Sequence, residues 1–98
     1  MEFLSSTKIT RYRISDNIVG CINTEKSKGK VHLEATIYDI SKLPIEYVVV
    51  FTGEKDTVDA APLLGESISI FMNPEWCKKR LKEYYKEEQN ENNILGNK

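Results

Sequence analysis

Groups that do chemistry are scarce in this sequence. His32 is the only histidine, and Cys21 and Cys77 are the only cysteines. The two thiols form no CxxC pair and no histidine stands at ligand spacing from either, so a zinc site has no ligand set. A catalytic triad needs its histidine beside a nucleophile and an orienting acid, whereas His32 falls on the wet face of an expected strand. No GxSxG, Walker-type or GxGxxG motif occurs. The inventory therefore predicts a protein that is not an enzyme and takes no cofactor. Both cysteines have apolar surroundings, the run Ile18-Val19-Gly20-Cys21-Ile22 and the stripe of an expected helix, which predicts buried, reduced thiols acting as small hydrophobes.

An excess of one charge is missing too. Lys and Arg number 14 against 15 Asp and Glu, a net charge of −1, so no global field draws the chain to nucleic acid or an anionic membrane. No stretch approaches the roughly 18 apolar residues that cross a bilayer, and no membrane partner is expected. The start, Met1-Glu2-Phe3-Leu4-Ser5-Ser6, has neither the basic nor the apolar region of a secretory signal, which predicts a cytoplasmic protein. What remains is ordinary globular composition, 40% hydrophobic and 30% charged, at the length of one domain.

Periodicity predicts where that domain lies. Residues 1–7 show no period and read as a loose leader. From 8 to 14, β-branched and aromatic residues alternate with basic ones, placing Tyr12 and Ile14 on one face and Arg11 and Arg13 on the other. Ser15-Asp16-Asn17 is turn chemistry. An apolar strand follows over 18–22, with Gly20 marking a bulge or a close backbone contact. Residues 23–30 read as a polar hairpin loop carrying Lys26, Lys28 and Lys30. Val31, Leu33, Ala35 and Ile37 alternate with His32, Glu34, Thr36 and Tyr38, the period of a half-buried strand. Pro44 breaks the pattern. Residues 45–52, apolar on both faces through Tyr47-Val48-Val49-Val50-Phe51, predict the central, most buried strand with Val49 in the core. Residues 53–56 read as a turn, 57–60 as a short edge strand, and 67–72 as a strand with Ile68, Ile70 and Met72 on one face.

The period then changes to that of a helix. Asn73 is an N-cap residue, Pro74 suits the first helical position, and Glu75 favours the positive end of the dipole. Cys77, Leu81, Tyr84 and Tyr85 share one arc, predicting a helix over about 74–89 that closes a single domain at 8–89. Residues 90–98 read as a disordered tail. The expected fold is α+β and mainly β: a small curved antiparallel sheet or barrel of about five strands, closed by a C-terminal helix.

One set of residues resembles a known family. Arg11-Tyr12-Arg13 in the first strand, Asp39-Ile40-Ser41-Lys42-Leu43-Pro44 after the alternating strand, and Leu63-Leu64-Gly65-Glu66-Ser67-Ile68-Ser69-Ile70 are similar, in turn, to the arginine-rich segment, the DxSxxG segment and the loop-glycine-acid-strand segment of the PilZ-domain β-barrels, over about residues 9–72. The resemblance implies a barrel with Arg11, Arg13, Asp39 and Ser41 near a cyclic di-GMP site. Two departures, arginines at i, i+2 in place of RxxxR and Pro44 in place of the glycine, imply a degenerate domain with little or no binding of that nucleotide.

Two surfaces are candidates for partners. Trp76, Arg80 and Glu83 on the helix, with Tyr38 on the wet face of its strand, have the chemistry of protein-interface anchors, and Trp76 stands at i, i+4 from Arg80 for a cation–π pair. Lys78, Lys79, Lys82 and Lys86 form a basic ridge which, with Lys26, Lys28 and Lys30, could meet phosphates. The leading expectation is a small intracellular binding module or regulator that docks on a protein. A nucleic-acid-binding barrel and a degenerate PilZ-like domain are the alternatives. The oligomeric expectation is a monomer or a strand-paired homodimer.

Overall fold

The computed structural model describes the backbone of residues 5–96 and the side chains of residues 6–86. Four strands, β1 (Ser5–Arg13), β2 (Ile18–Ser27), β3 (Lys30–Asp39) and β4 (Glu46–Asp56), form one antiparallel sheet in the order β1-β2-β3-β4. A 3-10 turn (Thr57–Asp59) leads into α1 (Ala61–Phe71) and then α2 (Pro74–Gly96). The α+β, mainly β character is as the composition and periods predict. The sheet has four strands and not five, and it is open: β1 and β4 are its two edges and do not pair. Among the described residues, no helix is long and apolar enough to cross a membrane.

The sheet is a plain meander because each connection is local. The β2–β3 hairpin turns on Lys28 (φ 49°) and Gly29 (φ 77°), with Ser27 paired to Lys30. Positive φ at both central residues is the type I′ geometry, which follows the natural twist of the strands. The polar loop expected over 23–30 is therefore two residues long, and β2 extends through Thr24 and Lys26. Gly53 to Asp56, expected as a turn, belongs to β4, and the expected edge strand at 57–60 is the 3-10 turn.

The largest correction is α1. The alternation Ile68, Ile70, Met72 suggests a strand, yet these residues are helical. The helical reading places Leu63, Ser67, Ile70 and Phe71 at i, i+4, i+7 and i+8 on the sheet side, with Pro62 pre-organising the first turn. A polar residue in the stripe hides this period. Ser67 is fully buried, and its hydroxyl is satisfied by donating to the Leu63 carbonyl at 3.0 Å. Met72, expected to share a face with Ile68 and Ile70, is exposed while those two pack against the core.

Both helices cover one face of the sheet. The core joins Ile18 and Ile22 of β2, Leu33, Ala35 and Ile37 of β3 and Val48 of β4 to Leu63 and Phe71 of α1 and Cys77 and Leu81 of α2. At Gly20, expected to mark a bulge or a close backbone contact, it is the Phe71 ring that approaches, so closely that a Cβ there would overlap it. The expected helix start holds: the Trp76 amide donates to the Asn73 side-chain oxygen at 3.2 Å. On the expected arc Cys77 and Leu81 are buried and Tyr85 packs against the core, while Tyr84 is exposed.

β4 is an edge strand and not the central one. Val48 is 6% exposed but Val49, expected in the core, is 42% exposed, because alternation turns it to the uncovered face. An irregularity between Ala35 and Thr36 of β3 then shifts the register, pairing Ala35 with Phe51 and Thr36 with Val49. β1 begins at Ser5, inside the expected leader, whose first four residues lie outside the described ones. The expected tail at 90–98 lies outside the residues whose side chains are described, with α2 bounded at Gly96.

Candidate functional site

Because both helices lie on one side, the opposite face of the sheet is bare, and the strand registers fix what it displays. Arg13, Val19, Tyr38 and Tyr47 stand side by side across the four strands. The next row is Arg11, Cys21, Thr36 and Val49, followed by Ile9, Asn23, Glu34 and Thr52, and then by Thr7, Glu25, His32 and Glu54. One half of this face is thus apolar and aromatic with arginines at the β1 edge, and the other half is polar and acidic.

The apolar half continues into the β3–β4 connection, where Ile40 and Ile45 are both about half exposed. The Tyr38 and Tyr47 rings meet at 5.6 Å between centroids. Ile9, Val19, Tyr38, Ile40 and Ile45 border a groove of about 530 Å³ that also takes in Arg11 and Glu34. Burial pushes the Tyr38 hydroxyl above its ordinary range, and Cys21, Glu34 and Tyr47 add to this while Arg11 opposes it. The connection itself is held by Asp39, whose carboxylate accepts from the Ser41 amide at 2.9 Å and from the Ser41 hydroxyl at 2.6 Å.

The two sheet edges differ. At β4, the Tyr85 hydroxyl of α2 accepts from the Tyr47 amide at 2.8 Å and donates to the Tyr47 carbonyl at 3.2 Å. These are the outward-facing backbone groups of an edge strand, and one side chain occupies both. The β4 edge also carries Glu46, Glu54 and Asp56 against Lys55. β1 carries Lys8, Arg11 and Arg13 and no acid.

The structure separates several residues that the sequence groups together. Tyr38 is on the bare face, whereas Trp76, Arg80 and Glu83 are on α2 beyond the opposite face. Arg80 lies over Tyr84 at 5.8 Å, not over Trp76, and Glu83 pairs with Lys79 at 3.9 Å. Lys78, Lys79, Lys82 and Lys86 line a cleft of about 690 Å³ with Ile18, Asp39, Glu46 and Glu75, and Lys78 pairs with Glu75 at 3.7 Å. Lys26, Lys28 and Lys30 lie at the other end of the sheet, where Lys30 meets Glu54 at 3.8 Å. The length of β3, about 30 Å at about 3.3 Å per residue, separates the two sets. Arg11 and Arg13 lie on the bare face, while Asp39 pairs with Ile18 and lines the α2 cleft on the covered side.

His32 is exposed, 4.0 Å from Glu54. Cys77 is buried and burial raises its thiol pKa, while Cys21 is only partly buried on the bare face. Among the described residues, no three His, Cys, Asp or Glu side chains are placed to hold a metal ion. Sequence reasoning missed Ile9, Val19, Ile40, Ile45, Tyr47 and Val49. A run that is apolar on both faces fits a central strand, and it equally fits an edge strand with one adhesive face. Comparison with protein-family models, curated proteins and solved structures finds no match to this chain.

Proposed function

We propose that this chain is a non-catalytic docking module that binds a protein partner through the bare face of its sheet. The observation that carries the reading is the contiguous row of half-buried Val19 and Tyr38 and exposed Tyr47, with exposed Ile40, Ile45 and Val49 around it and Arg11 and Arg13 at its β1 border. Exposed apolar patches with a polar rim mark interaction surfaces, and tyrosine and arginine are the residues on which such interfaces depend most. The α2 ridge supports a nucleic-acid reading less well, since two of its four lysines already face carboxylates and the hairpin lysines stand at the far end of the sheet.

Affinity capture from the native cell tests the reading with three baits. The wild-type chain and a Lys78→Glu, Lys82→Glu variant should retain the same protein. An Ile45→Ser, Tyr47→Ser variant should lose it, with affinity reduced on the order of thirtyfold or more, as for removal of an interface anchor worth about 2 kcal/mol. Retention by the face variant together with loss by the lysine variant would move the site to α2.

A further inference from the structure

We infer that the β1 edge accepts an extended, acidic segment of the partner as a fifth strand. This rests on the docking reading above and specifies the chemistry of the partner. The Ile14 amide donates to the Ile18 carbonyl at 2.9 Å. Following the alternation of an antiparallel ladder back from that bond, Tyr12, Thr10 and Lys8 bond to β2, whereas Thr7, Ile9, Arg11 and Arg13 direct their N–H and C=O groups away from the sheet. All four of those residues are exposed. Among the described residues they form an unpaired row of donors and acceptors of the kind that an incoming strand uses.

The surroundings of β1 suit such a strand on both faces. On the bare face its alternate side chains would lie beside Ile9 and Arg11 at the rim of the groove already described. On the covered face, a second groove of about 520 Å³ opens between β1 and the start of α1, with Tyr12, Ile22, Leu33 and Leu64 as its apolar lining and Lys8 and Lys26 at its rim. Strand addition draws affinity from the backbone and selectivity from pockets for alternating side chains, and β1 has both.

Charge selects the occupant. Lys8, Arg11 and Arg13 stand on a nine-residue strand without an acid, and among the described residues neither arginine forms an ion pair with a carboxylate. A second copy fits poorly: pairing β1 with its own copy joins two cationic strands, and the acidic β4 of a copy has its outward groups at Tyr47 held by Tyr85. An extended segment that alternates small apolar or threonine side chains with Asp or Glu complements β1 in charge as well as in geometry.

The test uses the full chain, labelled with nitrogen-15, and the peptide acetyl-Thr-Val-Glu-Val-Glu-Thr-Glu-Val-Thr-amide, with its three-lysine counterpart as the control. Amide shifts should concentrate at residues 7–13 and saturate, and the lysine peptide should bind at least tenfold more weakly. Ile9→Pro removes one outward N–H and no ladder bond, so it should melt as a folded protein and bind at least tenfold more weakly. Arg11→Glu should do the same with the backbone intact, and Lys78→Glu should bind as wild type. Shifts confined to Tyr38, Ile45 and Tyr47 would overturn strand addition and leave the docking face standing. No shift anywhere would overturn strand addition, with the docking reading judged by its own capture experiment. Concentration-dependent association of the peptide-free chain that Ile9→Pro abolishes would show that the occupant is a second copy, and would overturn the acidic partner.

Discussion

Replacing Gly20 by alanine tests the placement of α1 on the sheet. A Cβ at this position would stand 2.6 to 2.7 Å from three carbons of the Phe71 ring. Carbon atoms in contact sit about 3.5–4.0 Å apart, so the ring must retreat by about 1 Å. Phe71 has little room to do so, being buried and tilted against Tyr12 at 5.8 Å between centroids. Overpacking of this kind costs about 1–3 kcal/mol. Removing a glycine from a strand interior returns about 0.5–1 kcal/mol, which leaves a net loss of up to about 2.5 kcal/mol, and about 1 kcal/mol at the middle of the two ranges. For a domain of this size a loss of about 1 kcal/mol lowers Tm by about 4–8 °C. Thermal melts of Gly20→Ala in the wild-type and Phe71→Leu backgrounds measure the coupling directly. The cost should shrink when the smaller side chain is present. An alanine variant as stable as wild type, or an equal cost in both backgrounds, would refute the seating of Phe71 on β2.

Three further outcomes follow from local contacts. Tyr85→Phe removes both hydrogen bonds to Tyr47, so it should lose about 1 kcal/mol and, with the acidic β4 edge opened to the basic β1 of another molecule, associate with rising concentration in sedimentation velocity. A Tyr85→Phe chain that stays monomeric with an unchanged melt would show that the hydroxyl protects nothing. Asn73→Ala should lower stability by about 1 kcal/mol in urea unfolding through loss of the bond to the Trp76 amide; no change would mean that the cap is dispensable. Burial raises the Cys77 thiol pKa, so folding favours the neutral thiol, and the stability this confers is complete below the ordinary thiol range and lost as pH rises through the folded-state value. Urea midpoints should therefore fall more steeply above about pH 8.5 in wild type than in Cys77→Ala, and parallel curves would contradict the buried, uncharged thiol.

Much of the fold was legible where one face of an element is apolar and the other is wet. The strict alternation from Val31 to Tyr38 fixes β3, and the Asn73-Pro74-Glu75 start with Cys77 and Leu81 on one arc fixes the beginning of α2. Gly20 was legible as a special position, a bulge or a close backbone contact, but not as the seat of a side chain, the Phe71 ring. The rest failed for identifiable reasons. In 67–72 the alternation of isoleucine and serine matches a strand as well as one side of a helix, and the deciding residue, Ser67, is a polar member of the buried stripe because its hydroxyl bonds back to Leu63. In β4 the run from Tyr47 to Phe51 carries no mark of which face is covered, so Val49 and Val48 were indistinguishable until the helices were placed. The candidate site suffered from the same ambiguity. Tyr38 was found because its strand alternates, whereas Tyr47, Ile45 and Ile40 were concealed by an apolar run and a turn. The separation of the lysine sets, and of Tyr38 from Trp76, depends on which face the helices cover, and no short-range pattern records that.

Adjacent aspartates test the one-sided sheet most directly. Val48 and Val49 are chemically identical neighbours, one beneath the helices and the other on the bare face. Thermal unfolding of Val48→Asp and Val49→Asp, followed side by side by circular dichroism, should show the first without a cooperative transition, because an unpaired charge in the core costs several kcal/mol. The second should melt cooperatively within a few degrees of wild type. The reverse pattern, or the loss of folding in both, would mean that the helices do not leave that face of β4 open, and the docking surface would go with it.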